Sequence, residues 1–461
     1  VLVNCNYELL QQQILRELRE NSSIQFREIF LEESTTTLYT TIQTQLAGEQ
    51  PPALMVFGLQ SVSAIESLLT STNQVRDEFR KNFPFPLVLW INDRIQQKLV
   101  KFAPDFTSWA ASPIGFVRST EELIDSLRQN ADLMFARIIE SDRSEVPPNS
   151  TLDLEIGSNR RLELNAALKD LQNRGVTLTP ELQASLEFVL GGDAYANDLI
   201  DVALSHYYRS LAFWQQIGDW GIGNGQYLVQ RSQQLKSKIQ SLKMKEGVLL
   251  FNIALCYRRK ADIEPAQTRQ YWEEARTCLQ HCVDIFELYE RPDLVGKFIN
   301  YLGECLRNLE VWDELKALAI KSLELHENFE MNIPISASIQ LAQDYGFLAE
   351  VALERQNWTD AQQLAEMAIL TLSQTTVPLP QHKSLYLFIL AIAQQHLGHI
   401  SAAVNNLEIA RVESDPQYDP RQYTKILKML RSLYFQQCRY REAFQIKQEQ
   451  RSIEQQYGFR A

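Results

Sequence analysis

The sequence predicts an α/β domain over residues 1–117, a helical connector over 118–180 and an all-α superhelix of repeated helix pairs over 181–461. In the first region, short apolar runs typical of strands alternate with helical patterns, which indicates a parallel sheet covered on both faces. In the last region, small and apolar residues recur at spacings of three and four in successive helix pairs. A chain of 461 residues is also too long for one hydrophobic core.

The composition excludes several classes of protein. With 45% hydrophobic and 22% charged residues, the chain has the composition of a globular protein. Its formal charge of -12 argues against a general binder of nucleic acid or of an anionic membrane. The sequence shows no apolar run of bilayer-spanning length and no signal peptide. Six scattered cysteines favour a reducing setting, so we expect a cytoplasmic protein.

The α/β region is predicted element by element from its apolar runs and its breakers. Strands are expected in the segments VLVNCN, FREIFLEE, ALMVFG, FPFPLVLWIN and PIGFV. Ser34 is the expected N-cap of the second helix, since its hydroxyl can accept a bond from a free backbone N–H. The expected helices are Tyr7–Arg19, Ser34–Leu46, Val62–Leu69, Asn73–Lys81 and Asp93–Phe102.

The clearest repeat is the stretch Tyr345–Ile369, in which two helical patterns meet at a polar turn around Gln356–Asn357. Ala361 and Ala365 are expected at the contact between the two helices, because small residues let helices approach closely. The pattern resembles a tetratricopeptide repeat (TPR), except that Ala352 replaces the usual aromatic residue. Six such units are expected, centred on Ala203–Trp214 (incomplete), Leu250–Cys282, Ile299–Ser322, Tyr345–Ala368, Leu387–Ala410 and Leu427–Ala443.

The first region resembles a known class of switch protein in its strand order and in the segment PLVLWINDRIQQKLVKFAPDFTSWAASPIGF. Both are similar to those of bacterial, especially cyanobacterial, STAND-type proteins, which couple a P-loop NTPase domain to sensor repeats. A P-loop needs G-x-x-x-x-G-K-[ST] after the first strand, but the loop here is Asn4–Glu8. Gly58 stands where a Mg²⁺-holding Asp would follow the third strand. The resemblance therefore implies a degenerate, inactive P-loop NTPase-like domain without a nucleotide cofactor.

Flavodoxin-like and receiver-like α/β domains show the same alternation of strands and helices. A receiver needs a phosphorylatable Asp after its third strand, where Gly58 stands. Several side chains near the carboxyl ends of the strands have two interpretations, either a ligand pocket or docking surface, or helix caps and core residues. They are Trp90, Asn92, Asp93, Asp105 and Trp109, with Asp93 as the cap and Trp109 beneath the last strand in the second interpretation.

Four further segments are expected to have ordinary structural roles, and for two of them a functional alternative is also open. Ser141–Ser150 is the expected linker, and Gly218–Gly225 is expected as a flexible loop. The basic run Lys236–Lys245 is expected as a solvated helix face, with nucleic-acid binding as its alternative. Cys278, His281 and Cys282 share a helix face and, with Cys256 and Cys305, form a conceivable zinc site, but buried Cys is also a common core residue. We expect no metal site, and no catalytic motif such as H-E-x-x-H or G-x-S-x-G occurs.

The expected function is a non-catalytic sensor or adaptor arm that binds a protein or peptide in the TPR groove. The resemblance implies a larger bacterial signalling or defence protein, with an NTPase domain beyond residue 461. The alternative is a nucleotide-dependent switch or enzyme with an unrecognised site. A mostly basic strip in the groove favours an acidic partner, although the same residues are equally suited to pair with acids on adjacent helices. The strip consists of Arg258, Lys297, Asn300, Glu304, Arg307, Lys425 and Lys428.

Overall fold

A five-stranded, all-parallel sheet forms the centre of the N-terminal region in the computed structural model, which describes residues 1–140, 159–223, 233–329, 336–375 and 379–458. The strands are β1 (Leu2–Cys5), β2 (Arg27–Phe30), β3 (Leu54–Phe57), β4 (Leu87–Ile91) and β5 (Ile114–Phe116). Their order across the sheet is β2-β3-β4-β1-β5. This order differs from the flavodoxin-like order 2-1-3-4-5, because β1 lies between β4 and β5 rather than beside β2.

Helices precede and follow these strands as the alternating pattern predicts. The hydrophobic core of this region is formed by buried residues such as Ile29, Val56 and Leu89 on the strands and Leu99 on a helix. The helices are α1 (Glu8–Asn21), α2 (Leu38–Leu46), α3 (Ile65–Gln74), α4 (Arg76–Asn82), α5 (Asp93–Phe102), α6 (Pro104–Ser108), α7 (Thr120–Glu140) and α8 (Asn159–Asn173). The parallel sheet and its flanking helices are thus confirmed, and the short helix α6 is an element that the apolar pattern did not predict.

Two capping predictions for this region are wrong. Ser34 does not begin α2, because residues 32–35 form a turn in which the Thr35 N–H donates to the Glu32 carbonyl at 3.0 Å. Helix α2 therefore begins at Leu38. Asp93 is the first residue of α5 and not its cap, since the Asn92 side chain accepts the Ile95 N–H at 2.9 Å.

The rest of the described chain is helical and consists of successive hairpins. Helices α9 (Pro180–Ala196) and α10 (Ile200–Gly223) form the first. The others are α11 (Gln233–Ile263) with α12 (Thr268–Leu288), α13 (Pro292–Asn308) with α14 (Trp312–Phe329), α15 (Ser336–Glu354) with α16 (Trp358–Ser373), α17 (Pro380–His396) with α18 (Ile400–Glu413) and α19 (Pro420–Gln436) with α20 (Tyr440–Gln456). A TPR-like solenoid of helix pairs is thereby confirmed. None of the described helices combines the length and apolar character that a membrane crossing requires.

The packing predicted from the alanine pattern is confirmed. Ala361 is fully buried and packs with Ala352 and Ala393, while Ala365 packs with Ala349 on the facing helix. Tight turns close the hairpins, with Gln356 at φ 59° and Gly398 at φ 84°. A left-handed residue ends a helix abruptly and lets the next one turn back against it.

Two glycine predictions in the helical region are wrong. The paired glycines Gly191–Gly192 predict the end of the helix that begins at Pro180, but α9 continues to Ala196. A Cβ on Gly191 would come within 2.6 Å of the Tyr207 ring, so the glycine serves close helix packing and not helix termination. Gly218 lies within α10, which continues to Gly223, whereas Gly225 falls outside the described residues. The predicted linker Ser141–Ser150 also falls outside them.

The described residues form two compact units. The sheet unit contains residues 1–130 and the described part of 153–178, so it includes α8. The repeat unit contains the described residues of 131–152 and 179–461.

Candidate functional site: the groove helices of the repeat unit

The predicted groove residues lie on the first helices of their hairpins. Neighbouring first helices also touch one another, as α13 does α15 and α15 does α17. Arg258 is on α11, and Lys425 and Lys428 are on α19. The remaining four, Lys297, Asn300, Glu304 and Arg307, are on α13. We call the surface that these seven side chains and their neighbours form on the described first helices the groove face.

Two of the predicted cations pair with acids on the next first helix. The Arg258 guanidinium lies 2.6 Å from a Glu304 carboxylate oxygen, and it also lies 6.0 Å from the centre of the Tyr301 ring. Arg307 lies 3.8 Å from Glu350 on α15. For these two arginines the structure therefore has the pairing that the sequence left open as the alternative to a free basic strip.

Two other predicted residues are held by the protein's own backbone. The Lys297 ammonium donates to the carbonyls of Ile138 and Ile139 at 2.5 and 3.2 Å. Asn300 is buried, and its amide donates to the Gln340 carbonyl and to Gln343, each at 3.0 Å. These contacts hold Ile138, Ile139 and α15 against α13, so both side chains stabilise the repeat unit.

Lys425 and Lys428 are the predicted cations that remain exposed on the groove helices. No ion pair involves either of them within the ranges that the structure describes, although Lys425 is close enough to Glu350 to lower the pKa of that carboxyl. One turn of α19 separates them, so both ammonium groups lie on the same side of that helix.

Burial raises the pKa of two acids on this surface. The pKa of Glu350 is raised by burial, against the opposing effect of Arg307 and Lys425. The pKa of Asp262, near the end of α11, is raised by burial and further by the charges of Asp419 and Glu304, although Arg258 opposes the shift. The groove face therefore combines acids and cations in a partly dehydrated environment.

Glu350 has an unsatisfied atom. Its Oε2 is buried and accepts no hydrogen bond from any described residue. A buried carboxylate oxygen without a donor is costly. Sequence reasoning missed Glu350, although it follows the small packing residue Ala349 just as Glu304 follows Gly303 in the preceding repeat.

The cysteine cluster of α12 has the properties of a hydrophobic core. Cys278 and Cys282 are buried, whereas His281 between them is exposed. Burial raises the pKa of Cys278 and of Cys256 to about 12, which keeps both thiols protonated. Among the described residues, no group of three or more His, Cys, Asp or Glu side chains is arranged to hold a metal ion.

At the sheet edge, the five side chains singled out by sequence separate into two groups. Trp90 and Asn92 line a cleft beside α1. Asp93 instead binds Asn4 and Lys169, at 2.9 and 2.8 Å. Asp105 accepts a bond from Asn73 at 3.2 Å. Trp109 is 48% exposed, so it does not lie beneath the last strand.

The loop after β1 is filled by the protein's own groups. Tyr7, at the N-cap of α1, is buried, and its hydroxyl donates to Asp170 at 2.6 Å. The Glu8 N–H, at the first turn of α1, donates to the Glu163 carboxylate at 2.6 Å. Helix N-termini attract anions, and here a carboxylate of α8 already occupies that position.

Comparison with known proteins gives structural likenesses alone. No protein-family model and no curated protein matches the chain. The crystal structure of the apo form of RapI covers 74% of this chain and 98% of its own, at 13% identity and a TM-score of 0.42. A Rap protein complexed with competence and sporulation factor covers 73% and 99%, at 13% identity and 0.37. A STAND ATPase with a tetratricopeptide repeat sensor from Pyrococcus horikoshii covers 90% and 70%, at 12% identity and 0.33.

Proposed function

We propose that the repeat unit binds a protein or peptide segment on its groove face, and that the chain is a non-catalytic sensor or adaptor arm. The groove face carries this proposal, because Lys425 and Lys428 are exposed on it and Glu350 Oε2 has no hydrogen-bond donor among the described residues. An extended peptide supplies backbone N–H donors along its length, and a solenoid offers an extended concave surface to bind it.

The charge preference of the partner depends on which groove cations are free. Arg258 and Arg307 face acids, so Lys425 and Lys428 support the preference for an acidic partner. We therefore propose a segment that offers an N–H donor to Glu350 and a carboxylate to α19. A place in a bacterial STAND-type signalling or defence protein, with a separate NTPase domain, is part of the same proposal and is supported by the sequence resemblance.

The test is selection of binders from a random peptide display library by the purified chain. We expect the selected peptides to share an acidic position and to lose binding to the double variant Lys425→Glu, Lys428→Glu. The substitution Glu350→Gln should also weaken the binding of these peptides, since a neutral amide accepts a hydrogen bond less strongly than a carboxylate. A matched control is Lys316→Glu with Arg441→Glu, exposed residues on the second helices α14 and α20. Equal binding by both double variants would remove the groove face as the site.

The alternative function, a nucleotide-dependent switch, has a direct test of its own. We expect no binding of Mg²⁺-ATP or Mg²⁺-GTP in calorimetry, because Glu163 occupies the first turn of α1 and the loop Asn4–Glu8 offers no lysine. Triphosphate charge then has no compensating donors. Micromolar, Mg²⁺-dependent binding would replace the adaptor proposal with the switch.

A further inference from the structure

A cleft of about 580 Å³ lies in the sheet unit, between α1 and the carboxyl ends of the strands. Its size is within the range of small-molecule sites. Cys5 at the end of β1 and Ile91 at the end of β4 both line it. The chain leaves β1 toward β2, on one side, and leaves β4 toward β5, on the other. Open α/β sheets bind ligands at such a divergence of connections.

Aromatic rings form the floor of the cleft. Phe30 and Phe57 stack with ring centres 4.9 Å apart, and Phe57 and Trp90 stack at 5.7 Å. All three rings line the cleft, and because neighbouring rings are stacked face to face, they turn their edges rather than their faces to it. Phe57 and Trp90 are buried, but Phe30 at the cleft's end is 59% exposed. A flat apolar ligand would cover this exposed ring.

Two donors in the cleft have no acceptor among the residues that the structure describes. Trp90 is 3% exposed, and its buried Nε1–H makes no hydrogen bond within the described chain. Arg16 lines the cleft from α1 and is exposed, and in the described ranges no acid pairs with it. Its neighbour Arg19 differs, since it holds Glu28 at 2.7 Å through both carboxylate oxygens. The cleft thus offers one free guanidinium and one free indole N–H.

The acids of the cleft lie at its other end. Glu8 and Glu163 line the cleft at the first turn of α1. Arg16 is eight residues further along the helix, which is about 12 Å at the rise of an α-helix. The charge in the cleft therefore changes sign along α1, and a single anionic group fits beside Arg16.

We propose that this cleft binds a small planar aromatic carboxylate that carries a second hydrogen-bond acceptor. Its ring lies across the edges of Phe30 and Phe57, its carboxylate binds Arg16, and its second acceptor receives the Trp90 N–H. A flat aromatic ring packs favourably on the edges of other rings, and a guanidinium suits a carboxylate. The site is separate from the groove face and does not depend on the proposed peptide binding.

The test uses kynurenate, a planar bicyclic carboxylate with a ring oxygen substituent, in calorimetric titrations of the full chain. We expect saturable binding with a Kd below about 1 mM. The matched ligand 4-hydroxyquinoline, which lacks the carboxylate, should bind about ten-fold or more weakly. Salicylate is titrated as a second, single-ring probe, and Mg²⁺-ATP as a nucleotide.

Three variants locate the site. The substitution Arg16→Gln should lower the affinity for kynurenate about ten-fold and leave the affinity for 4-hydroxyquinoline unchanged, because only the charged contact is lost. Trp90→Phe keeps the aromatic floor but removes the N–H, so it should weaken both ligands. Arg94→Gln is the matched control, since Arg94 is exposed in the same unit and does not line the cleft.

Several outcomes overturn the proposal. One is the absence of saturable binding of both kynurenate and salicylate by folded wild-type protein up to about 10 mM. A second is equal weakening by Arg16→Gln and Arg94→Gln. Binding of Mg²⁺-ATP in place of the carboxylates also overturns it, in favour of a nucleotide. Circular dichroism of each variant shows whether Trp90→Phe is folded, and Arg16→Gln tests the site independently because Arg16 is exposed.

Discussion

Helix α15 packs against its two neighbours in different ways. Toward α16 it presents alanines, and Ala361 and Ala365 of that helix are fully buried against it. Toward α14 it presents Asp344, which is fully buried and hydrogen-bonded to His326 Nδ1. His326 Nε2–H donates to the Gly296 carbonyl at 2.9 Å. The stability of the α15–α16 contact should therefore depend on side-chain volume, whereas that of the α14–α15 contact should depend on charge.

The largest expected effect is on the polar contact. Replacing Asp344 with Ala leaves the buried His326 without its carboxylate, and breaking a buried pair in this way costs about 3–5 kcal/mol of unfolding free energy. Urea unfolding of Asp344→Ala measures the loss. Glu354→Ala, at an exposed position on the same helix, is the matched control and should change stability by less than about 0.5 kcal/mol. Similar losses in the two variants would contradict the assignment of Asp344 as a structural partner.

The alanine contact should respond to size. Ala361→Phe inserts a ring where Ala352 and Ala393 already meet Ala361, which should cost about 1–3 kcal/mol through overpacking. Gln363→Phe adds the same ring at an exposed position two residues away and serves as the control. Thermal melts compare the two. If the Ala361→Phe variant melts at the wild-type temperature, this helix contact can expand without loss of stability.

Sequence reasoning predicted one of these contacts and missed the other. The alanines recur at helical spacing, so the periodicity alone places them between helices. His326 and Asp344 are on different helices, and apolar periodicity does not report which polar side chain becomes buried. The same limit applies to the groove face. Its helices and Arg258 follow from the repeat register, but the pairing with Glu304 depends on how adjacent hairpins pack. The free Nε1–H of Trp90 depends likewise on the strand order.

The polar contact should also make stability depend on pH. Burial opposes the charge of His326, but the hydrogen bond and charge of Asp344 outweigh it and raise its pKa above the ordinary 6.5. The folded state therefore keeps a proton that the unfolded state loses above pH 6.5, and stability falls as pH rises through the folded pKa. The slope for one proton is at most about 1.4 kcal/mol per pH unit.

This dependence is measured as the difference between wild type and His326→Asn in urea unfolding from about pH 6 to 9. We expect the stability difference between the two proteins to shrink as pH rises. Exposed His399→Gln is the control and should follow the wild-type curve. A difference that stays constant or grows over this range would show that His326 is not the group that carries the extra proton.

The smallest expected effect concerns a polar contact that is exposed, and it tests whether burial is what distinguishes the His326–Asp344 pair. Arg276 on α12 lies 2.6 Å from Glu314 on α14, with side chains 30% and 55% exposed. Water screens this pair and replaces either partner, so its coupling should be only about 0–1 kcal/mol. It should also weaken further in salt of about 1 M, where screening is strong over a few ångströms. A double-mutant cycle with Arg276→Gln and Glu314→Gln measures the coupling. A salt-independent coupling as large as the loss in Asp344→Ala would mean that charge pairing, rather than burial, determines the cost.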